Sequence, residues 1–131
     1  MKTVKSIGVW MDHSIAHLIE FTTVPMHVRD ILSDFTHEVK ADSIEKSEKH
    51  MHNKERGEMH EYYNKILKEV VDFDQILIFG PTDAKNELNS LLKSNHAFDL
   101  ANVEILQTDK MTENQLYAFV RNHFSENIRL R

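Results

Sequence analysis

Along the first third of the chain, hydrophobic and polar positions follow the two-residue period of extended strands. Ile7, Val9 and Met11 alternate with Gly8 and Trp10. Apolar residues on both sets of positions predict a strand over Val4–Met11 that is buried on both faces. Asp12-His13 reads as a tight turn. Ser14–Phe21 then returns as a second strand, with Ile15, Ile19 and Phe21 on one face and Ala16 and Leu18 on the other. A third strand is expected over Val28–Phe35, after Thr22-Thr-Val-Pro25. Ser47–Lys54 is polar and carries no apolar period, so it reads as a loop.

From about Lys54 the period lengthens. Met59, Tyr62, Tyr63, Ile66, Leu67 and Val70 recur at spacings of three and four, which predicts an amphipathic helix. Two adjacent tyrosines cannot both point fully into a core from one helix face, so one is expected at its edge. Phe73–Phe79 ends in a short apolar run suited to a buried strand, and Gly80-Pro81 stops it. Thr82 is the expected N-cap of a helix that turns Ala84, Leu88, Leu91 and Leu92 inward, with Asp83 favourable near the positive helix end. Val103–Gln107 is the last strand. Thr112-Glu-Asn-Gln115 is a capping box flanked by Met111 and Leu116 as a hydrophobic staple, and it opens a helix carrying Phe119, Val120 and Phe124. The order is βββαβαβα, an α/β domain with a mixed five-stranded sheet and helices on both faces. Residues 1–131 read as one domain, with 125–131 as a loose C-terminal tail.

Composition changes this picture mainly by exclusion. The chain has 131 residues, no cysteine, three glycines and two prolines, so disulfides, thiolate metal sites and cysteine nucleophiles are absent. No apolar stretch approaches the roughly 20 residues of a membrane helix, and no signal-peptide core opens the chain. A soluble cytoplasmic protein is the expectation. The net charge of -5 argues against a cation that coats nucleic acid. Charge is uneven, however: residues 40–68 carry seven basic against six acidic groups, together with His50, His52 and His60.

This element order resembles the ribonuclease H-like plan of some ribosomal proteins and of the central domain of archaeal and eukaryotic class-1 release factors and Pelota. Ile7-Gly-Val-Trp-Met-Asp12 followed by Ile15-Ala-His-Leu-Ile19 resembles the opening hairpin of that domain. Arg56-Gly-Glu-Met-His-Glu-Tyr-Tyr-Asn-Lys-Ile66 is similar to its charged, aromatic-bearing long helix. Gln75-Ile-Leu-Ile-Phe-Gly80 with Lys85-Asn-Glu-Leu88 resembles its strand, glycine turn and following helix. Release factors hydrolyse peptidyl-tRNA with a Gly-Gly-Gln tripeptide before the long helix. Here Gly8, Gly57 and Gly80 are all far apart, and residues 47–53 contain neither glycine nor glutamine. The resemblance therefore implies a translation-associated domain without the hydrolase, as in Pelota, whose domain also lacks the tripeptide.

Other chemistries have candidates among the residues. Asp12, Asp83 and Asp109 follow strand ends, where ribonuclease H-like nucleases hold metal ions. Each also has a local use: Asp12 in the turn, Asp83 at a helix start, and Asp109 before the capping box. His50-Met-His52 and His60 suggest zinc, but on one helix His52 and His60 would stand about 12 Å apart, beyond the ~2 Å reach of zinc bonds. His13 and His17 have helical ligand spacing, yet on strands they lie roughly 13 Å apart. No nucleophile elbow or phosphate-cradling glycine loop is present. No metal and no cofactor are expected. The phosphate-binding candidates are Lys46, Lys49, His50, His52, Lys54, Arg56, His60 and Lys68, with Lys65 beside them. Arg56, His60 and Lys68 fall near one helical stripe, and Glu55, Glu58 and Glu61 interrupt it. The reading is a non-enzymatic domain docking on ribosome, ribosomal RNA or a tRNA end through residues 44–54 and the long helix. The alternatives are a protein-interaction or homo-oligomerising module, and a divalent-metal nuclease using Asp12.

Overall fold

A computed structural model describes the backbone of residues 4–21, 25–33 and 48–129, with side chains described for 4–21, 29–33 and 59–125. The elements are β1 (Ser6–Met11), β2 (Ile15–Phe21), β3 (Pro25–Leu32), α1 (Glu48–Val70), β4 (Gln75–Gly80), α2 (Ala84–Lys93), a 3-10 turn (His96–Phe98), β5 (Asn102–Gln107) and α3 (Glu113–Arg129). They build one five-stranded sheet in the order β3-β2-β1-β4-β5. β1 pairs antiparallel with β2 and parallel with β4, and β5 runs parallel to β4. The mixed five-stranded α/β architecture read from the periodicities is the one observed.

Strand alternation divides the core into two layers. Ile7, Val9, Met11, Ala16, Leu18, Ile76 and Ile78 face α1 and α2, where Tyr62, Tyr63, Ile66, Leu88 and Leu92 meet them. Trp10, Ile19, Phe21, Leu77 and Phe79 face α3 and meet Leu116, Val120 and Phe124. Phe79 stacks on Phe119 with ring centroids 4.7 Å apart. The capping box closes reciprocally: the Thr112 N–H donates to Gln115 Oε1 at 2.9 Å, and the Gln115 N–H donates to Thr112 Oγ1 at 3.3 Å. Met111 packs onto the same layer as Leu116, as a staple requires.

Four boundaries differ from the sequence expectations. α1 begins at Glu48, so residues 48–54 are helical where the polar pattern predicts a loop. That stretch is polar but free of glycine and proline, and a helix that shows no apolar face leaves no period to read. β3 starts at Pro25, three residues earlier than expected, and Phe35 lies outside the described residues. Proline fits there because β3 is an edge strand. The cap position of α2 is Asp83 rather than Thr82, although the Thr82 hydroxyl accepts from the Ala84 N–H at 3.2 Å. α3 runs to Arg129, so the backbone of 125–129, expected as a tail, is helical.

Two glycines hold this packing together. A Cβ on Gly8 would sit 2.5 Å from Val120 Cγ2 of α3. At Gly80, with φ of 155°, a Cβ would stand 2.0 Å from the Met11 carbonyl oxygen. A valine methyl gives way more readily than a backbone carbonyl. Gly8→Ala is therefore expected to cost about 1–3 kcal/mol and Gly80→Ala more than about 3 kcal/mol. Urea unfolding of the two variants checks the order.

Candidate functional site

The candidate phosphate-binding residues gather on one element. Lys49, His50, His52, Lys54 and Arg56 belong to the first half of α1, and His60 and Lys68 to its second half; Lys46 lies outside the described residues. His60, Lys65 and Lys68 are exposed, along with Glu61 and Asn64. The helix meets β3 at a cleft of about 320 Å³ lined by Arg29, Ile31, Leu32, Lys65, Lys68 and Glu69, with Asp30 at its side. Arg29 is paired with Glu69 across the cleft. Such an exposed pair contributes at most about 1 kcal/mol, but it sets the Arg29 guanidinium beside the two lysines. The result is a cationic rim broken by two carboxylates. His52 and His60 sit on the same helix, about 12 Å apart along its axis.

A second polar group lies where the C-terminal ends of the parallel strands β1 and β4 meet the helices. The Asp12 carboxylate closes the turn by accepting from the N–H groups of Ser14 and Ile15 at 2.7 and 2.9 Å. Tyr62 donates its hydroxyl to the Asp12 carbonyl at 2.9 Å, and Tyr63 donates to Glu87 Oε1 at 2.5 Å. The other oxygen of Glu87 faces His13 Nε2 at 3.4 Å. Glu87 thus ties α1, α2 and the β1–β2 turn together. Lys85 is buried, and its ammonium donates to the Thr82 carbonyl at 2.5 Å.

Both tyrosines are buried, at 1% and 4% exposure, which corrects the expectation that one would lie at an edge. Each ring enters the core while its hydroxyl reaches a polar rim. Burial first, then the nearby Asp12 charge, raises the Tyr62 pKa far above the ordinary tyrosine value. For Tyr63 burial again leads, followed by its hydrogen bond to Glu87. Both phenols are therefore fixed as neutral donors that hold position.

The three strand-end aspartates make separate contacts, Asp12 and Asp83 through their carboxylates and Asp109 through its backbone carbonyl. Asp12 caps its turn, Asp83 Oδ1 accepts from Asn86 Nδ2 at 2.8 Å, and the Asp109 carbonyl lies 3.4 Å from the Trp10 indole nitrogen. Among the described residues no three His, Asp or Glu side chains gather in an arrangement that would hold a metal ion. His17 pairs instead with Asp30 on the neighbouring strand at 2.6 Å.

Comparison with solved structures places this architecture. Archaeoglobus fulgidus Pelota superposes with a TM-score of 0.61 over 93% of this chain and 32% of that chain, at 10% identity. Thermoplasma acidophilum Pelota gives 0.59 over 91% of this chain and 32% of that one, at 16% identity. The chain has a Pelota-like fold. It spans about a third of the length of those proteins. No protein-family model matches the sequence, and no curated protein does. Among the described residues, no helix is long and apolar enough to cross a membrane.

The sequence pattern assigns Glu87, Lys85 and Arg29 no role at a site, although Lys85 and Glu87 lie in the Lys85-Asn-Glu-Leu88 stretch. For Lys85 a signal is present: a cation in the first turn of a helix opposes the helix dipole, so its placement there points to a specific acceptor. Glu87 and Arg29 give none, because their partners are distant in sequence. The raised tyrosine pKa values set a pH dependence. The folded state holds these protons more tightly than the unfolded chain, so their contribution is complete below about pH 10 and is lost as pH climbs above it. Each tyrosine accounts for up to ~1.4 kcal/mol of declining stability per pH unit there. Tyr62→Phe and Tyr63→Phe should each flatten the alkaline limb of a stability-versus-pH curve measured by urea unfolding. At pH 7, Tyr62→Phe should cost about 1–3 kcal/mol, because it orphans the Asp12 carbonyl.

Proposed function

We propose that this chain is a non-catalytic, translation-associated module that docks on ribosomal RNA or a tRNA end through α1. One observation carries the reading: a Pelota-like fold over almost the whole chain, in a sequence where no two glycines adjoin and the tripeptide of the release-factor hydrolase has no counterpart. Lys65 and Lys68, exposed on the helix with His60, supply cations in the stretch 40–68 where basic groups outnumber acidic ones, and Arg29 adds one across the cleft. A chain of net charge -5 repels polyanions from most of its surface, and among the described residues this face groups Arg29, Lys65 and Lys68 along one cleft. Orientation on the nucleic acid follows from that asymmetry. In this reading the protein acts in the cytoplasm and binds without cleaving.

Co-sedimentation with ribosomal particles tests the proposal. The protein should pellet at low salt and be released as salt rises, because each phosphate bound displaces condensed counterions. Reversing Lys65 and Lys68 to Glu should weaken binding at least tenfold and shallow the logarithmic salt slope by roughly 0.7–0.9 for each phosphate no longer neutralised. Reversal at Lys49, Lys54 and Arg56 should act in the same direction. Protein that stays in the supernatant at low salt, or binding indifferent to both sets of reversals, refutes the reading.

A further inference from the structure

The two edges of the sheet are built differently. β3 begins with Pro25, pairs with β2 through a register shift at Leu18/Ile19, and displays the exposed charges of Arg29 and Asp30. Prolines, bulges and charges of this kind are the devices by which edge strands avoid pairing with another chain. β5, Asn-Val-Glu-Ile-Leu-Gln over Asn102–Gln107, has none of them beyond a single charge. That charge, Glu104, is turned toward His123 of α3 at 3.2 Å.

We propose that β5 is the seam of a homodimer in which two copies join edge to edge, antiparallel, into one continuous sheet. The direction of the backbone groups supports it. The Asn102 N–H donates to the Asp74 carbonyl at 2.8 Å, and the Thr108 N–H donates to the Gly80 carbonyl at 3.1 Å. Alternation along the strand then turns the N–H and C=O groups of Val103, Ile105 and Gln107 toward the free edge. A two-fold axis normal to the sheet keeps α2 of both copies on one face, so opposed residues must share a face. Centring the register on Glu104 would set two carboxylates directly opposite at the close spacing of a non-hydrogen-bonded pair, a repulsive arrangement. Centring it on Ile105 sets Ile105 against Ile105 of the second copy, Val103 against Gln107, and Glu104 against Leu106. No charge then opposes a like charge, and every outward backbone group finds a partner.

A cleft of about 550 Å³ follows the same edge on the α2 side, bounded by Leu92, Lys93, Phe98, Asp99, Val103 and Ile105. Pairing across β5 would bring the two α2 helices together over this cleft at about two strand spacings, ~10 Å, close to the separation of packed helices. The cleft carries Lys93 and Asp99, so two copies facing one another present opposite charges as well as apolar surface. This self-complementarity selects a second copy as the occupant.

Sedimentation equilibrium and single-cysteine cross-linking test it. The wild-type chain should sediment at twice its 15.4 kDa mass in the tens-of-micromolar range. Gln107→Pro removes an outward N–H and only one side-chain bond, to the Pro81 carbonyl; it should weaken the dimer at least tenfold while leaving the far-UV spectrum unchanged. Because the chain has no cysteine, Ile105→Cys introduces a single thiol on the two-fold axis, about 5.5 Å Cα to Cα from its copy. It should oxidise to a covalent dimer at least tenfold faster than Leu100→Cys, whose thiol would be fully exposed beside the strand. A monomer at every concentration, a dimer indifferent to Gln107→Pro, equal cross-linking at 100 and 105, or a different protein seated on β5 overturns the proposal.

Discussion

β1 has no face and no edge left for solvent, and the rest of the molecule is arranged around that fact. Every residue of Ser6–Met11 is buried, with β2 on one side and β4 on the other. A strand enclosed this way needs helices against both faces, and the chain provides α1 and α2 on one and α3 on the other. Gly8 lets α3 close down on the strand, and Gly80 lets the end of β4 pass the Met11 carbonyl. Gly8 thus sets how closely α3 meets the sheet, and Gly80 how closely the ends of β4 and β1 pass.

What the sequence discloses follows from where the information resides. β1, β2, β4 and the second half of α1 are legible because burial imposes a period, and the α3 start is legible because a capping box is local. The start of α1 is not. A helix built from polar residues with no apolar stripe carries no periodic mark of its own. The tyrosines mislead for a related reason: a two-dimensional wheel treats a side chain as one point. Tyr62 and Tyr63 bury their rings and deliver their hydroxyls to Asp12 and Glu87, which needs a third dimension. Among the candidate cations, the shared helix is partly legible, whereas Arg29 joins them only because β3 folds beside α1.

The corner at the ends of β1 and β4 is where open α/β sheets often keep their chemistry, and here it serves the architecture. Glu87 spends both oxygens on tethers, Asp12 spends its carboxylate on a turn, and the phenols are held protonated. These groups fix the tilt of α1 at its middle. A helix of 23 residues is about 34 Å long, while a six-residue strand spans roughly 20 Å. Anchored near Tyr62, the helix is longer than the strands it packs on, and its polar residues 48–54 have helical backbone rather than loop.

Sheet order also separates the two proposed contacts. The cationic cleft uses the β3 edge and the dimer seam uses the β5 edge, with β2, β1 and β4 between them. Pairing across β5 would leave both clefts open, at opposite ends of the joined sheet and on the order of 40 Å apart at the usual strand spacing. Two weak electrostatic grips held at a fixed separation act at a high effective concentration once the first has engaged, provided the target offers phosphates at that span. Each cleft carries carboxylates that limit its own affinity. The dimer would then add a second cationic face at a fixed distance from the first, so that a large nucleic acid is met at two points of set spacing.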